Sequence, residues 1–511
     1  MGYHSILFET LEDGPPRDDV PEPECFGDLN LDEIERKVTQ GYDEYSLTPF
    51  FRTALTRESA VRYRHAVMRD LGSQEISRCI HAFAQSMRKM RASLAQAEKL
   101  HYPRQKQWWF LEAASRYCDA LEALDVSLRK ACPRSKGLRE FSSWLAGYLR
   151  GEAFAGLRRD VVDLHAALEA ISYAIHIHSN AVTVLNYDGE SDYSARVLAI
   201  FERFKQGDVK DYSVEPKEWP EMNHVEARIL DFVAQLQPRP FAMLAGFAQS
   251  HADFLDAGVA AFDREVQFYI AYDAYIQLCR EQGLSFCFPV VSSCSKAERC
   301  DDTFDLALAH KLCSEKLPVV RNDFWLEGAE RIFVVSGPNN GGKTTFARMF
   351  GQLHYLARLG CPVPGIHASL YLCDQLFAHF EREENTRDMR GKLQDDLTRM
   401  HTILANATPR SVVVMNEIFS STTLADAVFL CRRIISQIMG RDSLCVCVTF
   451  IEELSRLGPQ TVSMVSETSA ANPAARTFRI RRKAADGRAY AISVAAQYGL
   501  TYERLKERLA S

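Results

Sequence analysis

The stretch S-G-P-N-N-G-G-K-T-T, Ser336 to Thr345, stands directly after the apolar run R-I-F-V-V and before the helical pattern F-A-R-M-F-G-Q-L. It satisfies G-x-x-x-x-G-K-[ST], with Gly337, Gly342, Lys343 and Thr344 at the required positions. Glycines at such a strand-to-helix turn let backbone N–H groups curl around phosphate oxygens, and the helix N-terminus adds a field that favours negative charge. Lys343 is suited to bridge the β and γ phosphates, and the Thr344 hydroxyl to ligate Mg²⁺. The expected nucleotide cradle is therefore Gly337, Pro338, Asn339, Asn340, Gly341, Gly342, Lys343, Thr344 and Thr345, with ATP and Mg²⁺ as cofactors.

A second stretch, V-V-V-M-N-E-I-F-S-S-T-T from Val412 to Thr423, delivers a polar pair to the end of an apolar strand. In P-loop enzymes an Asp at this strand end usually holds Mg²⁺ and its waters, and an adjacent Glu positions or activates the attacking water. Here the first position is Asn416, which keeps an oxygen acceptor of similar shape but lacks the full charge. Glu417 is present as the catalytic carboxylate. The pattern predicts an ATP hydrolase with a weakened hold on Mg²⁺, Thr344 and Asn416 being its protein ligands.

Around these motifs, short β-rich runs alternate with helical segments from about Leu317 onward, which predicts a mostly parallel α/β sheet. From Leu31 to about Gly283 the pattern is mainly helical; Trp109, Ala113, Tyr117, Leu121 and Leu124 fall on one stripe. One interruption, S-Y-A-I-H-I-H-S-N-A-V-T-V-L, predicts a hairpin near 172–185, turned at Ser179-Asn180. His176 and His178 share a strand face there without a third metal ligand. Near the C-terminus, T-F-R-I-R-R-K-A-A-D-G-R-A-Y-A-I-S-V predicts a hairpin turned at Asp486-Gly487, with Arg479 and Arg481 on a wet face and Phe478 and Ile480 on a buried one. The expected division is a flexible acidic and Pro-rich lead-in over 1–27, a helical core over 28–300 and a P-loop ATPase domain over 301–511.

Composition agrees with several domains. The 511 residues exceed what one hydrophobic core organises, and 47% hydrophobic with 25% charged residues is a globular balance. A net charge of −6 excludes a histone-like binder and confines any nucleic-acid contact to a local basic surface. The fourteen cysteines are scattered, with no C-x-x-C pair, and Cys445 and Cys447 occupy one face of an apolar strand. These features predict a reducing, cytoplasmic location, and no run approaches membrane-spanning length.

The segments G-P-N-N-G-G-K-T-T, L-A-N-A-T-P-R-S-V-V-V-M-N-E-I (Leu404 to Ile418), A-Y-A-I-S-V-A-A-Q-Y-G-L (Ala489 to Leu500) and P-V-V-R-N-D-F-W-L together resemble the MutS family of DNA-acting, ABC-class ATPases over most of 317–511. Upstream, D-L-N-L-D-E-I and F-F-R-T-A-L-T-R-E-S-A-V-R-Y-R-H-A-V-M-R-D-L look like the opening of that family's helical core. The resemblance implies a multidomain protein: a mainly α-helical lever and clamp core followed by an α/β P-loop ATPase domain of ABC type. It also implies homodimerisation with composite nucleotide sites and ATP-driven changes of grip on DNA.

Departures from the family pattern are informative. On this resemblance the chain is expected to begin at the helical core, without the family's mismatch-reading and connector domains. Phe110-Leu111-Glu112 imitates the aromatic-x-Glu wedge but lies in a helical stripe, as packing would. Phe419-Ser420-Ser421-Thr422-Thr423 replaces a glycine- and arginine-containing segment, and Phe450 stands where the family's switch His would follow Thr449. The family's signature Ser matches Gly391, which is flanked by Arg390 and Lys392, with Arg387 one turn away. That basic cluster is a candidate for γ-phosphate stabilisation across a dimer interface.

The expected function is an ATP-dependent grip on structured or branched duplex DNA in mismatch repair or recombination, with an affinity that falls steeply with salt. Two alternatives remain open: an ABC-class ATPase acting on another assembly such as the ribosome, and a nucleotide-gated scaffold with little hydrolysis, for which Asn416 and Phe450 both speak.

Overall fold

The computed structural model describes residues 3–10, 13, 19–179, 181–190, 193, 222–381, 391–468 and 476–484. They form two compact units, each assembled from separate parts of the chain: Met1–His4, Leu71–Arg134 and Leu138–Asp263 make the first, and Ser5–Asp70, Ser135–Gly137 and Arg264–Ser511 the second.

The first unit is helical, with one small hairpin. Helix α1 (Gln74–Lys99) starts at Ser73, whose hydroxyl accepts the Ile76 N–H at 3.3 Å. It buries Ile76, Ile80, Phe83, Met87 and Met90, alternating steps of four and three that keep one apolar stripe. Helix α2 (Pro103–Ala131) opens on a proline, which has no N–H to leave unsatisfied, and ends where Cys132 turns left-handed at φ 48° and bonds back to the Leu128 carbonyl. Of its expected stripe, Ala113, Tyr117, Leu121 and Leu124 are buried, and Tyr117 meets Phe254 edge-on and shares a hydrogen bond with Tyr148 at 2.9 Å.

Helices α3 (Lys136–Leu149) and α4 (Glu152–Glu169) follow. Strands β1 (Tyr173–His178) and β2 (Ala181–Asn186) pair antiparallel from Tyr173↔Asn186 to His178↔Ala181. Ser179 at their turn has φ 49°, and Asn180 lies outside the described residues. Helix α5 (His224–Leu236) begins with a capping box between Asn223 and Glu226, and α6 (Pro238–Ser250) follows it. Phe110 sits edge-on to Phe247 and Phe254, so the wedge-like triplet Phe110-Leu111-Glu112 is interior packing of this unit.

In the second unit, strands β3 (Ile332–Ser336), β4 (Leu376–Phe380), β5 (Val412–Asn416), β6 (Leu444–Val448), β7 (Thr461–Thr468) and β8 (Arg476–Arg482) form one sheet in the order β4-β5-β6-β3-β7-β8. All neighbours are parallel except β7 and β8. β3, β5 and β6 are buried along their whole length, as strands covered on both faces must be. Helices α8 (Lys392–Asn406) and α9 (Leu424–Arg441) cover one face, where Ile332, Val334, Val413, Met415, Cys445 and Cys447 alternate inward against Ile403, Ile435 and Ile438. On the other face Phe333 meets Phe346 and Phe350 of α7 (Lys343–Arg358). A second sheet in this unit joins Val290–Ser292, His367–Tyr371, Glu298–Thr303 and Asn322–Leu326.

The expected linear boundary near residue 300 is not where the units divide. Residues 5–70 and 264–300 belong with the α/β sheet, and the reason is polar as well as apolar. The fully buried Arg64 donates to the carbonyls of Leu7 and Leu359 at 2.8 and 2.9 Å. Gln352 on α7 donates to the Leu29 carbonyl and to Asp305, and Asp28 pairs with Arg399. Such buried donors are costly to strand, so the segments that satisfy them are held to the sheet. None of this is visible in hydrophobic periodicity.

All fourteen cysteines are free thiols, ten of them buried, in keeping with the absence of a disulfide framework. Among the described residues no cluster suited to a metal ion occurs, and no helix is long and apolar enough to cross a membrane.

Candidate nucleotide site

The turn from β3 into α7 carries the glycine-rich loop, and it is shaped by what lies beneath it. Gly337 has φ 119° and Gly342 has φ 89°, values that L side chains rarely adopt. A Cβ on Gly337 would come within 3.1 Å of the Ser466 nitrogen, and one on Gly342 within 2.9 Å of the Phe478 carbonyl oxygen. Ser466, at the end of β7, donates its hydroxyl to the Gly341 carbonyl at 2.7 Å. β7 and β8 thus form a floor against which only glycines fit.

Lys343 is 5% exposed. Its ammonium donates to the carbonyls of Gly337 and Pro338 at 2.9 and 3.4 Å and to Asn339 Oδ1 at 3.2 Å, with Glu417 at 3.5 Å. Burial pushes the Lys343 pKa down, the Glu417 carboxylate opposes that, and the positive charge of Arg476 adds to the lowering. The ammonium is held within the loop by weak neutral acceptors and one carboxylate, a set that an incoming phosphate can replace.

Thr344, in the first turn of α7, donates its hydroxyl to Asn416 Oδ1 at 2.9 Å. The predicted metal ligands, far apart in sequence, are therefore adjacent, because β5 ends beside the start of α7. Both oxygens are neutral. Mg²⁺ commonly takes one or two protein groups together with substrate phosphates, so Thr344 and Asn416 fit that role with less charge than an Asp would give.

Glu417 follows the buried Asn416 with φ 52°, and its N–H is anchored on the Val448 carbonyl at 2.9 Å. A left-handed glutamate is uncommon and reflects a backbone turned by its surroundings. The turn sends Glu417 to the rim of a cavity of about 440 Å³, lined also by Asn339, Asn340, Gly341, Gly342, Lys343, Thr344, Thr345 and Phe478. Every one of these except Phe478 was expected from the motifs.

Phe478, Ser466 and Arg476 are the participants that the motifs missed. Alternation along β8 predicted a buried Phe478, yet it is 49% exposed while Ile480 is buried. The cause is an irregularity in the β7–β8 register between Ser466 and Thr468, with Phe478 itself at φ 58°. A bulge of this kind re-aims side chains, here leaving Phe478 exposed, with its carbonyl over Gly342 and the residue in the cavity lining. The sequence signal was present only as a bulky residue in a strand of arginines.

Of the basic cluster beside Gly391, Lys392 is described and is not among the residues lining this cavity. Gly391 is the N-cap of α8, and the Lys392 ammonium is paired with Glu381, which also accepts from Ser420 at 2.9 Å. The Lys392 contact, ahead of the Ser420 bond, holds the Glu381 carboxyl below the usual range. Arg387 and Arg390 lie outside the described residues, as do the Asp486-Gly487 turn and the segment Ala489 to Leu500. Thr449 is anchored on the Val335 carbonyl at 3.0 Å, whereas Phe450 is 52% exposed.

Residues 333–507 match the family model described as MutS domain V. Over 199 residues the chain is 30% identical to "Endonuclease MutS2" of Gemmatimonas aurantiaca, covering 38% of this chain and 24% of the relative. It is 27% identical over 184 residues to "DNA mismatch repair protein MutS" of Thermotoga sp. (strain RQ2), covering 35% and 23%, and 32% identical over 139 residues to the protein of that name from Erythrobacter litoralis, covering 27% and 16%. The chain thus spans at most about a quarter of the length of these relatives, and the family-model match takes in the glycine loop and the Asn416-Glu417 pair. Over residues 333–507 the chain is similar to the MutS family.

Proposed function

We propose that the second unit is a P-loop ATPase of the ABC class, and that the protein couples ATP binding and hydrolysis to a clamp-like grip on DNA. The observation that carries this reading is the convergence of Lys343, Thr344 and Glu417 on one glycine-walled cavity, with Asn416 bonded to the Thr344 hydroxyl. Names of the relatives, a mismatch repair protein and an endonuclease, support DNA as the partner.

Lys343 and Glu417 form a contact that a bound triphosphate disrupts: phosphate oxygens are stronger acceptors for the ammonium than the loop carbonyls. Glu417, released from Lys343, is then free to orient and deprotonate a water at the cavity rim. Thr344 and Asn416 would hold the Mg²⁺ that accompanies ATP and neutralises phosphate charge. Phe478 is the single aromatic residue of the cavity lining and would be the group available to stack on the base. Arg390 and Lys392 are proposed to act on the nucleotide of a second copy of the chain, in a homodimer with shared sites.

Glu417→Ala separates these roles. It should retain ATP and lower turnover by at least about a hundredfold; unchanged turnover removes Glu417 from the chemistry. Steady-state ATPase with and without duplex and branched DNA tests the coupling, and a rate indifferent to every DNA points to another target. The lost charge at Asn416 favours one second reading, a nucleotide-gated scaffold, whose mark is ATP retained by the wild type without turnover.

A further inference from the structure

Within the helical unit, α1, α2, α5 and α6 enclose a cavity of about 1060 Å³, at or above the upper end of ordinary small-molecule sites, which run from roughly 300 to 1000 Å³. Its lining includes three cations, Lys89, Arg104 and Arg116, and no carboxylate. Two large aromatics of the lining, Trp108 and Tyr173, are 42% and 43% exposed, although neighbouring apolar residues of α2 are fully buried.

We propose that this cavity is a second binding site, separate from the glycine loop, for an unpaired nucleobase together with its phosphate. Aromatic faces beside cations are the chemistry that takes stacked bases and their phosphates. Bases in a duplex are stacked on each other and offer only edges, so the occupant is an unpaired nucleotide, supplied either by a single strand or free in solution. An inorganic anion would leave the two rings unused, and an aliphatic ligand would leave the cations unmatched.

The cations are set for this use. Arg104 is fixed by an ion pair with Asp231 and lies 5.7 Å over the Phe241 ring, which orients its plane. Arg116 is paired with Glu112 at 3.7 Å along its own helix, and its Nε is buried without a hydrogen-bond partner among the described residues. A guanidinium has five N–H donors, so both arginines keep donors for an anion after these pairings. Lys89 has no carboxylate partner among the described residues, leaving one uncompensated positive charge in the lining.

The test uses the full chain and fluorescence anisotropy with an end-labelled oligo(dT) of about 12 nucleotides, a length within the usual single-strand site sizes. The strand should bind, a same-length abasic strand should bind more weakly, and Trp108→Ala should weaken oligo(dT) about tenfold or more. Lys89→Ala should lower the salt slope by about 0.7, the value for one single-strand phosphate contact. ATPase activity without DNA should be unchanged in both variants, because neither residue belongs to the glycine-loop unit. Should Trp108→Ala fail to fold by circular dichroism, Tyr173→Ala takes its place. Competition by thymidine monophosphate identifies the free nucleotide as a sufficient ligand, and its failure to compete identifies the strand. Equal binding of the abasic strand, unchanged affinity in the aromatic variant, or displacement by inorganic phosphate as effective as by the nucleotide overturns the proposal.

Discussion

Asn416 is the residue on which the chemistry of the site turns, since it accepts from Thr344 where a carboxylate would add a full charge. Asn416→Asp keeps the shape and restores that charge. The half-saturating Mg²⁺ concentration for ATPase should fall by about tenfold, the scale of one to two kcal/mol for a charged against a neutral acceptor; an unchanged Mg²⁺ titration would mean that Asn416 does not face the ion. Lys343 makes a different kind of prediction. Burial lowers its pKa in the folded protein, so the fold disfavours the charged form, and stability should rise as pH climbs through the lowered pKa toward the ordinary lysine value. Against Lys343→Met, which has nothing to titrate there, the wild type without nucleotide should gain unfolding free energy over that alkaline window in urea melts. A constant difference between the two proteins would show that the ammonium is not strained. Both residues were legible in the sequence, because phosphate chemistry dictates their types and spacing. What was not legible is the pairing of Lys343 with Glu417, which depends on a left-handed backbone at residue 417.

Among the elements, β3, β5, β6 and α7 could be read ahead of the structure, since strands buried on both faces are continuous apolar runs and α7 opens on the loop glycines. β8 could not, because a register irregularity against β7 turns Phe478 out, and period-two alternation assumes an unbroken ladder. Membership of residues 5–70 in the α/β unit was equally hidden: Asp28, Arg64 and Gln352 hold it through specific buried hydrogen bonds that leave no periodic trace. The helix Glu58–Leu71 in that segment carries a testable liability. His65 is buried with its ring 5.2 Å from Phe288 and its Nε2 unpartnered among the described residues, and burial, aided by Arg69, pushes its pKa down to about 4. A histidine held neutral in the fold contributes stability that is present above the unfolded value of 6.5 and is lost as pH falls toward the folded one. Denaturant melts should therefore show the wild type losing about 3 kcal/mol relative to His65→Leu between pH 6.5 and 4, the drop that the shift implies. Parallel pH profiles for the two proteins would place His65 in water rather than in the core.

For the whole molecule, the question left by the site is whether one chain is enough. The glycine-walled cavity holds Lys343, Thr344 and Glu417 but no arginine among its lining residues, and phosphoryl transfer usually needs a further cation at the γ-phosphate, worth roughly 10³ to 10⁵ in rate. Lys392 does not line the cavity of its own chain, and its ammonium is paired with Glu381. In the proposed homodimer the two defects lie on different sides of each shared site: a Glu417→Ala chain lacks the carboxylate of its own cavity but still lends Lys392 to its partner. A chain with Arg390→Ala and Lys392→Ala keeps its own cavity but lends nothing. Mixing the two inactive proteins should then regenerate ATPase activity that neither has alone, since one of the two sites in each mixed dimer combines an intact cavity with an intact basic cluster. If instead the cluster serves its own chain, or only solvates the start of α8, mixing restores nothing, and full activity of the doubly neutralised protein by itself would remove the cluster from catalysis altogether.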